Sequence, residues 1–177
     1  MILPGACDGS TSNPTCNNTD DTFSATWYGT SGSAADIADV ETIAAAATPS
    51  TQLGNFGTSF MAASASVSSD SAADYCDSMT YGGFSDWYLP SKTEMAYIYC
   101  KALVSGGAHN TSFPEENVNC ASFGGKTSEI GGFINANYWT TSEFSTTNAW
   151  RQSFTTGTQT SSNAKSVALR VRCIRKF

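Results

Sequence analysis

A chain of 177 residues is the size of one ordinary domain, or of one domain with a short extension, and leaves no room for a second enzyme-sized unit. Only 14% of its side chains are charged, and Ser, Thr, Asn, Gly and Ala abound beside Trp and Tyr, a balance that suits loop-rich extracellular β or α+β folds better than cytosolic enzymes. A net charge of -6 argues against nucleic acid or a strongly anionic membrane as partner, and no stretch approaches the ~20 apolar residues of a membrane span.

The charge is unevenly spread. Residues 1–91 carry ten acidic and no basic side chains, whereas residues 92–177 carry five acidic and nine basic ones, a local net of +4. Attraction between the halves is one use of that asymmetry, and a basic ligand-facing end is another. The six cysteines, Cys7, Cys16, Cys76, Cys100, Cys120 and Cys173, contain no C-x-x-C pair of the kind used by zinc or redox sites, so disulfides are predicted. Sequence alone does not choose among the pairings, although Cys7 and Cys16 bracket a short polar loop that could close locally. The opening M-I-L-P-G-A-C lacks the basic and apolar regions of a signal peptide, so a removed export signal, a fragment of a longer surface protein or release from cells by lysis is expected.

In chain order, residues 1–33 are polar and rich in turn formers, and read as an irregular arm with one strand, T-F-S-A-T-W-Y. The run A-A-D-I-A-D-V-E-T-I-A-A-A-A (34–47) predicts an amphipathic helix. In the segment after it, Gly54 and Gly57 argue against a continuous helix. Ser71 caps a predicted helix that carries Tyr75, Cys76 and Met79 on one stripe and stops at Gly82 and Gly83. Ser91 and Glu94 form a capping box, and the helix behind them places Met95, Ile98, Tyr99 and Ala102 on one face. A long glycine-rich loop (106–132) follows, which a Cys100–Cys120 bridge would hold down. N-Y-W-T-T-S-E, A-W-R-Q-S-F and S-V-A-L-R-V-R-C-I-R then alternate as strands, separated by the turns S-T-T-N and T-T-G-T-Q-T-S-S-N-A-K. In the last strand Leu169, Val171 and Cys173 share one face, and Arg170 and Arg172 the other.

Five ordered blocks carry a resemblance: G-G-F-S-D-W-Y-L-P-S-K-T-E-M (82–95), I-G-G-F (130–133), Y-W-T-T-S-E (138–143), A-W-R-Q-S-F-T-T-G (149–157) and V-R-C-I-R (171–175). In order and spacing they resemble the Lcl C-terminal domain family, named for a bacterial collagen-like adhesin, across about residues 71–177. The resemblance implies an α+β, C-type-lectin-like fold, two helices on a small twisted antiparallel sheet, with the ligand surface on strands and loops of the second half. It also implies a bridge from the first core helix to the last strand, Cys76–Cys173, beside Cys100–Cys120 and Cys7–Cys16. Residues 1–70 then form an arm packed on or leading into that domain.

Signs of catalysis are weak. His109 stands alone in a glycine-rich loop, Glu94 is accounted for by its capping box, and Glu115 and Glu116 are adjacent in a loop. P-E-E-N (114–117) is the sole run suited to calcium, and neither a metal nor a cofactor is expected. Trp87 and Trp139 are expected in the core. An exposed Trp150 beside Asn148, Arg151 and Gln152 would make a sugar platform, since amides and guanidinium fork to hydroxyls. Tyr138 and Glu143 border it. Arg170 and Arg172, with Arg175 and Lys176, could bind an anion or neutralise the acidic half. The expected function is an extracellular, non-catalytic adhesin or receptor-binding module for a glycan or surface receptor. The alternative is a structural subunit of a pilus, capsid or tail fibre, with itself or other subunits as partners.

Overall fold

The computed structural model of the chain describes residues 23–33, 54–104, 120 and 130–176. The Cys7–Cys16 pair, the helix expected over 34–47, His109, Glu115 and Glu116 lie outside the described residues. Within them the chain forms β1 (Ser24–Ala25), α1 (Gly54–Ala63), α2 (Ala72–Asp77), α3 (Lys92–Lys101), β2 (Ala102–Val104), β3 (Ile130–Phe133), β4 (Asn137–Glu143), β5 (Asn148–Ser153), β6 (Gln159–Ala164) and β7 (Leu169–Arg170).

The caps behave as their sequences require. The Ser71 side chain accepts from the Asp74 amide at 3.0 Å and starts α2, which stops at Asp77, earlier than the glycines at 82 and 83. Both halves of the Ser91–Glu94 capping box are present at α3. The same Glu94 carboxylate accepts the Gly54 amide at 2.8 Å and the Tyr88 hydroxyl at 3.1 Å, so it gathers the start of α1, the start of α3 and the segment before it.

Helix α1 departs from expectation, because it runs straight through Gly54 and Gly57. A Cβ on Gly54 would lie 2.2 Å from the Leu89 carbonyl oxygen, and one on Gly57 would lie 2.9 Å from the Thr141 Cβ. Here glycine permits close approach of the helix backbone to its neighbours, and tertiary contact outweighs a propensity cost of about 1 kcal/mol per residue. Thr58 seals the contact: its hydroxyl donates to the Leu89 carbonyl and accepts the Leu89 amide.

The main sheet has the order β1-β7-β4-β5-β6. It is mixed, not purely antiparallel, since β4 and β7 pair in parallel through Tyr138 and Arg170. Strand β6 lies where a turn was expected. It is an edge strand antiparallel to β5, and its sequence Q-T-S-S-N-A has no apolar alternation because much of it faces solvent. Strands β2 and β3 form a separate parallel pair.

Both faces of the sheet are covered. One core joins Trp27, Met61 of α1, Tyr75 and Cys76 of α2, Trp87 and Trp139. The other joins Met95, Ile98 and Tyr99 of α3 to Phe133, Tyr138 and Phe154. Trp27 and Trp139 lock the arm to the sheet reciprocally: the Trp27 indole donates to the Thr140 carbonyl and the Trp139 indole to the Ala25 carbonyl, each at 2.9 Å. Cys76–Cys173 ties α2 to the C-terminal segment across 97 residues, a closure that removes on the order of 4–5 kcal/mol of unfolded-state entropy in the chain model. Cys100–Cys120 is the second bridge, so both described pairs match the expected ones. The described part is thus α+β and disulfide-stapled, with three helices among the described residues rather than two.

Candidate functional site

Strands β4 and β5 place most of the candidate residues. Tyr138 pairs with Gln152 and Trp139 with Arg151 across the two strands. Tyr138 belongs to the α3 core and Trp139 to the α1/α2 core, so directly opposed residues put Gln152 towards α3 and Arg151 on the other side. Arg151 and Gln152 therefore do not flank Trp150 on one shared face.

Tyr138 is fully buried, and its hydroxyl accepts the Ile134 amide at 3.1 Å. Gln152 is buried too, its amide donating to the Gly157 carbonyl at 2.9 Å. Trp150 is 7% exposed and so is not the open platform the sequence suggested. The Lys92 ammonium, at the start of α3, lies 3.8 Å over its ring, and Phe144 meets it edge to face at 6.0 Å.

The basic run is dispersed rather than gathered. Arg172 is buried with its guanidinium 4.2 Å over the Phe133 ring and donates to the Gly132 carbonyl at 3.2 Å. Arg170 donates to the Ser24 hydroxyl at 3.1 Å. Arg175 grips Asp86, in the acidic half, with two bonds of 2.7 and 2.9 Å, and its hydrogen bonds hold that carboxyl below the usual carboxylate range. Pairing between the halves is thus the use this arginine makes of the charge asymmetry.

Glu143 is fully buried and forms an ion pair with the equally buried Lys165. The Lys165 ammonium also donates to the Thr146 carbonyl at 3.0 Å and sits 4.5 Å over the Trp27 ring. Buried charges need this degree of compensation, because desolvation costs several kcal/mol per ion.

Arg151 stands in contrast. Its Nε donates to Asn163 Oδ1 at 2.7 Å and its Nη1 to Asn137 Oδ1. Asn163 is itself held by the Thr160 hydroxyl, to which its amide donates at 2.9 Å. These are neutral acceptors, no carboxylate among the described residues pairs with Arg151, and burial lowers its pKa. Two of the five guanidinium N–H groups are thereby used on a half-buried site that spans β4, β5 and β6.

Asn148, half-exposed, closes the turn between β4 and β5. Its carbonyl accepts the amides of Phe144 and Ser145, each at 3.0 Å, and its own amide returns to Ser145. Among the described residues no group of three or more His, Cys, Asp or Glu is placed to hold a metal ion, and no helix is long and apolar enough to cross a membrane.

The family model of the Lcl C-terminal domain matches residues 11–175. The chain belongs to the Lcl C-terminal domain family. No curated protein and no solved structure matches it. In this Lcl C-terminal domain the quoted blocks supply much of the framework. Gly82 and Gly83, with φ of 63° and 82°, close the turn that brings Tyr81 back to Phe84. Trp87, Leu89, Val171 and Cys173 enter the first core, and Ile174 bridges to Tyr88. The residues that sequence reasoning missed, Asn137, Asn163, Lys165 and Phe144, lie at strand ends or on the polar edge strand. Only Phe144 carried a signal, as a bulky aromatic placed directly before the polar turn S-T-T-N.

Proposed function

We propose that this Lcl C-terminal domain is an extracellular, non-catalytic binding module that recognises a glycan or surface receptor through its C-terminal sheet and loops, on a C-type-lectin-like arrangement. The observation that carries the reading is Arg151: a half-buried guanidinium held by two amide oxygens, with no carboxylate partner among the described residues. Partial desolvation without a carboxylate partner is unfavourable for the free protein and is relieved by a ligand that brings hydroxyl or acidic oxygens. Asn137, Asn163 and Thr160 surround it with the amides and hydroxyl that polar ligands use. The disulfides support an oxidising, extracellular setting.

The test is an array of immobilised neutral and acidic glycans, probed with the wild type, Arg151→Ala and Arg151→Lys. Selective binding that falls about tenfold or more in both variants supports the reading, since lysine lacks the planar fork. Binding untouched by either variant moves the site elsewhere. A second reading, a structural subunit, is favoured by Phe56 and Phe60, which lie one turn apart on α1 and are 49% and 41% exposed. Silence on the array, with concentration-dependent self-association lost in Phe56→Ser/Phe60→Ser, would favour that reading instead.

A further inference from the structure

We propose that Phe144 is a stacking platform for the C–H face of a pyranose ring, and that the buried Glu143–Lys165 pair is the strut that holds this platform out. The inference rests on the glycan-binding reading above and names a second subsite for it, on the turn from 144 to 148.

Phe144 is 47% exposed at the end of β4, although fully burying a ring of that size is worth about 1.5–3 kcal/mol. It is not loosely exposed. The ring meets the Trp150 indole edge to face, and Trp150 is pinned from above by Lys92. The backbone beneath is bound on both sides. Phe144 and Ser145 donate to the Asn148 carbonyl, while the Lys165 ammonium binds the Thr146 carbonyl and the Lys165 amide binds the Thr147 carbonyl at 2.9 Å. Lys165 is in turn neutralised by Glu143, the residue next to Phe144. A fully buried charge thus binds the backbone of an exposed turn, an arrangement that preorganises the turn.

The surroundings select the class of ligand. Thr146 and Thr147 are exposed, and Ser145 and Asn148 are partly so. One aromatic ring bordered by hydroxyls and an amide matches a sugar, which offers C–H groups on one face and hydroxyls at its rim. A protein hot spot would instead need a wider apolar surround.

The experiment takes the strongest glycan found on the array and titrates it calorimetrically into the wild type, Phe144→Ala, Phe144→Trp and Glu143→Gln, with thermal melts as a check of folding. Phe144→Ala is expected to lose about tenfold in affinity at unchanged melting temperature, and Phe144→Trp to retain it. Glu143→Gln is expected to speed hydrogen exchange at the Phe144 and Ser145 amides and to weaken binding less than Phe144→Ala does. Wild-type affinity in Phe144→Ala overturns the platform and leaves the module reading standing. A wild type that binds no glycan overturns both. Unchanged exchange in Glu143→Gln overturns the strut alone.

Discussion

Lys165 and Arg151 both reach the side of the C-terminal sheet packed by Trp27 and Trp139, and the chain treats the two charges in opposite ways. Lys165 is wholly buried, paired with Glu143, and bonded to the turn carbonyl of Thr146. Arg151 is half-buried and is given amide oxygens. A cation that serves the fold is neutralised within the fold, because removing an ion from water is repaid only by an opposite charge and good hydrogen bonds. On the proposed reading, a cation positioned by neutral groups keeps its charge for a ligand. The surface pair of Arg175 and Asp86 is a third case, where water and salt share the compensation.

The largest effect is expected at the neutralised charge. Glu143→Ala strands a buried ammonium and should cost about 3–5 kcal/mol in denaturant unfolding. A cost below about 1 kcal/mol would mean that water reaches Lys165, and the contrast with Arg151 would collapse. Glu143→Leu with Lys165→Met removes both charges, and its stability should return to within about 1–2 kcal/mol of the wild type. Arg151→Leu should escape the penalty of Glu143→Ala: stability within about 1 kcal/mol of the wild type or higher, with glycan binding lost. A severe loss of stability would make Arg151 a structural residue.

Smaller effects are read through pH and salt. Asp86 has a lowered folded pKa, so its pair with Arg175 stabilises above the ordinary carboxylate pKa, and that stability is lost as pH falls through the folded value. Asp86→Asn should therefore lower the melting temperature slightly at neutral pH and leave it unchanged near pH 2. High salt should shrink the neutral-pH difference but not the effect of Glu143→Ala. Asp74 is shifted the other way, raised by burial and then by Asp77 and Asp70. A raised carboxyl opposes folding above its pKa and ceases to do so as pH falls, so Asp74→Asn should stabilise modestly at pH 7 and less at pH 4. Melting curves across that range decide the sign.

The parts of the fold legible in sequence are those set by near neighbours. The Ser71 cap and the Ser91–Glu94 box act over three residues, and both were readable because a cap needs only its own first turn. The alternation of β4 and β5 likewise follows from the pleat. Cys76–Cys173 was reached through family resemblance, since no local rule joins residues 97 apart. Helix α1 and strand β6 were missed because each depends on a partner. Gly57 is tolerated where Thr141 lies against it, and the polar β6 is a strand because β5 offers an edge.

For the site the division is the same. The sequence by itself determined which chemistry was present: guanidinium confined to the second half, side-chain amides richer there, and aromatics spread through both halves, with two strands to carry them. It also determined that neighbouring residues on a strand point to opposite sides. Only the tertiary structure decided what lies on each side. It placed Lys92 over Trp150 and left Phe144 exposed, put Arg172 on Phe133, and gave Glu143 to Lys165 and Asn137 and Asn163 to Arg151. Exposure and charge compensation depend on which distant groups share a small volume, and strand periodicity carries no information about that.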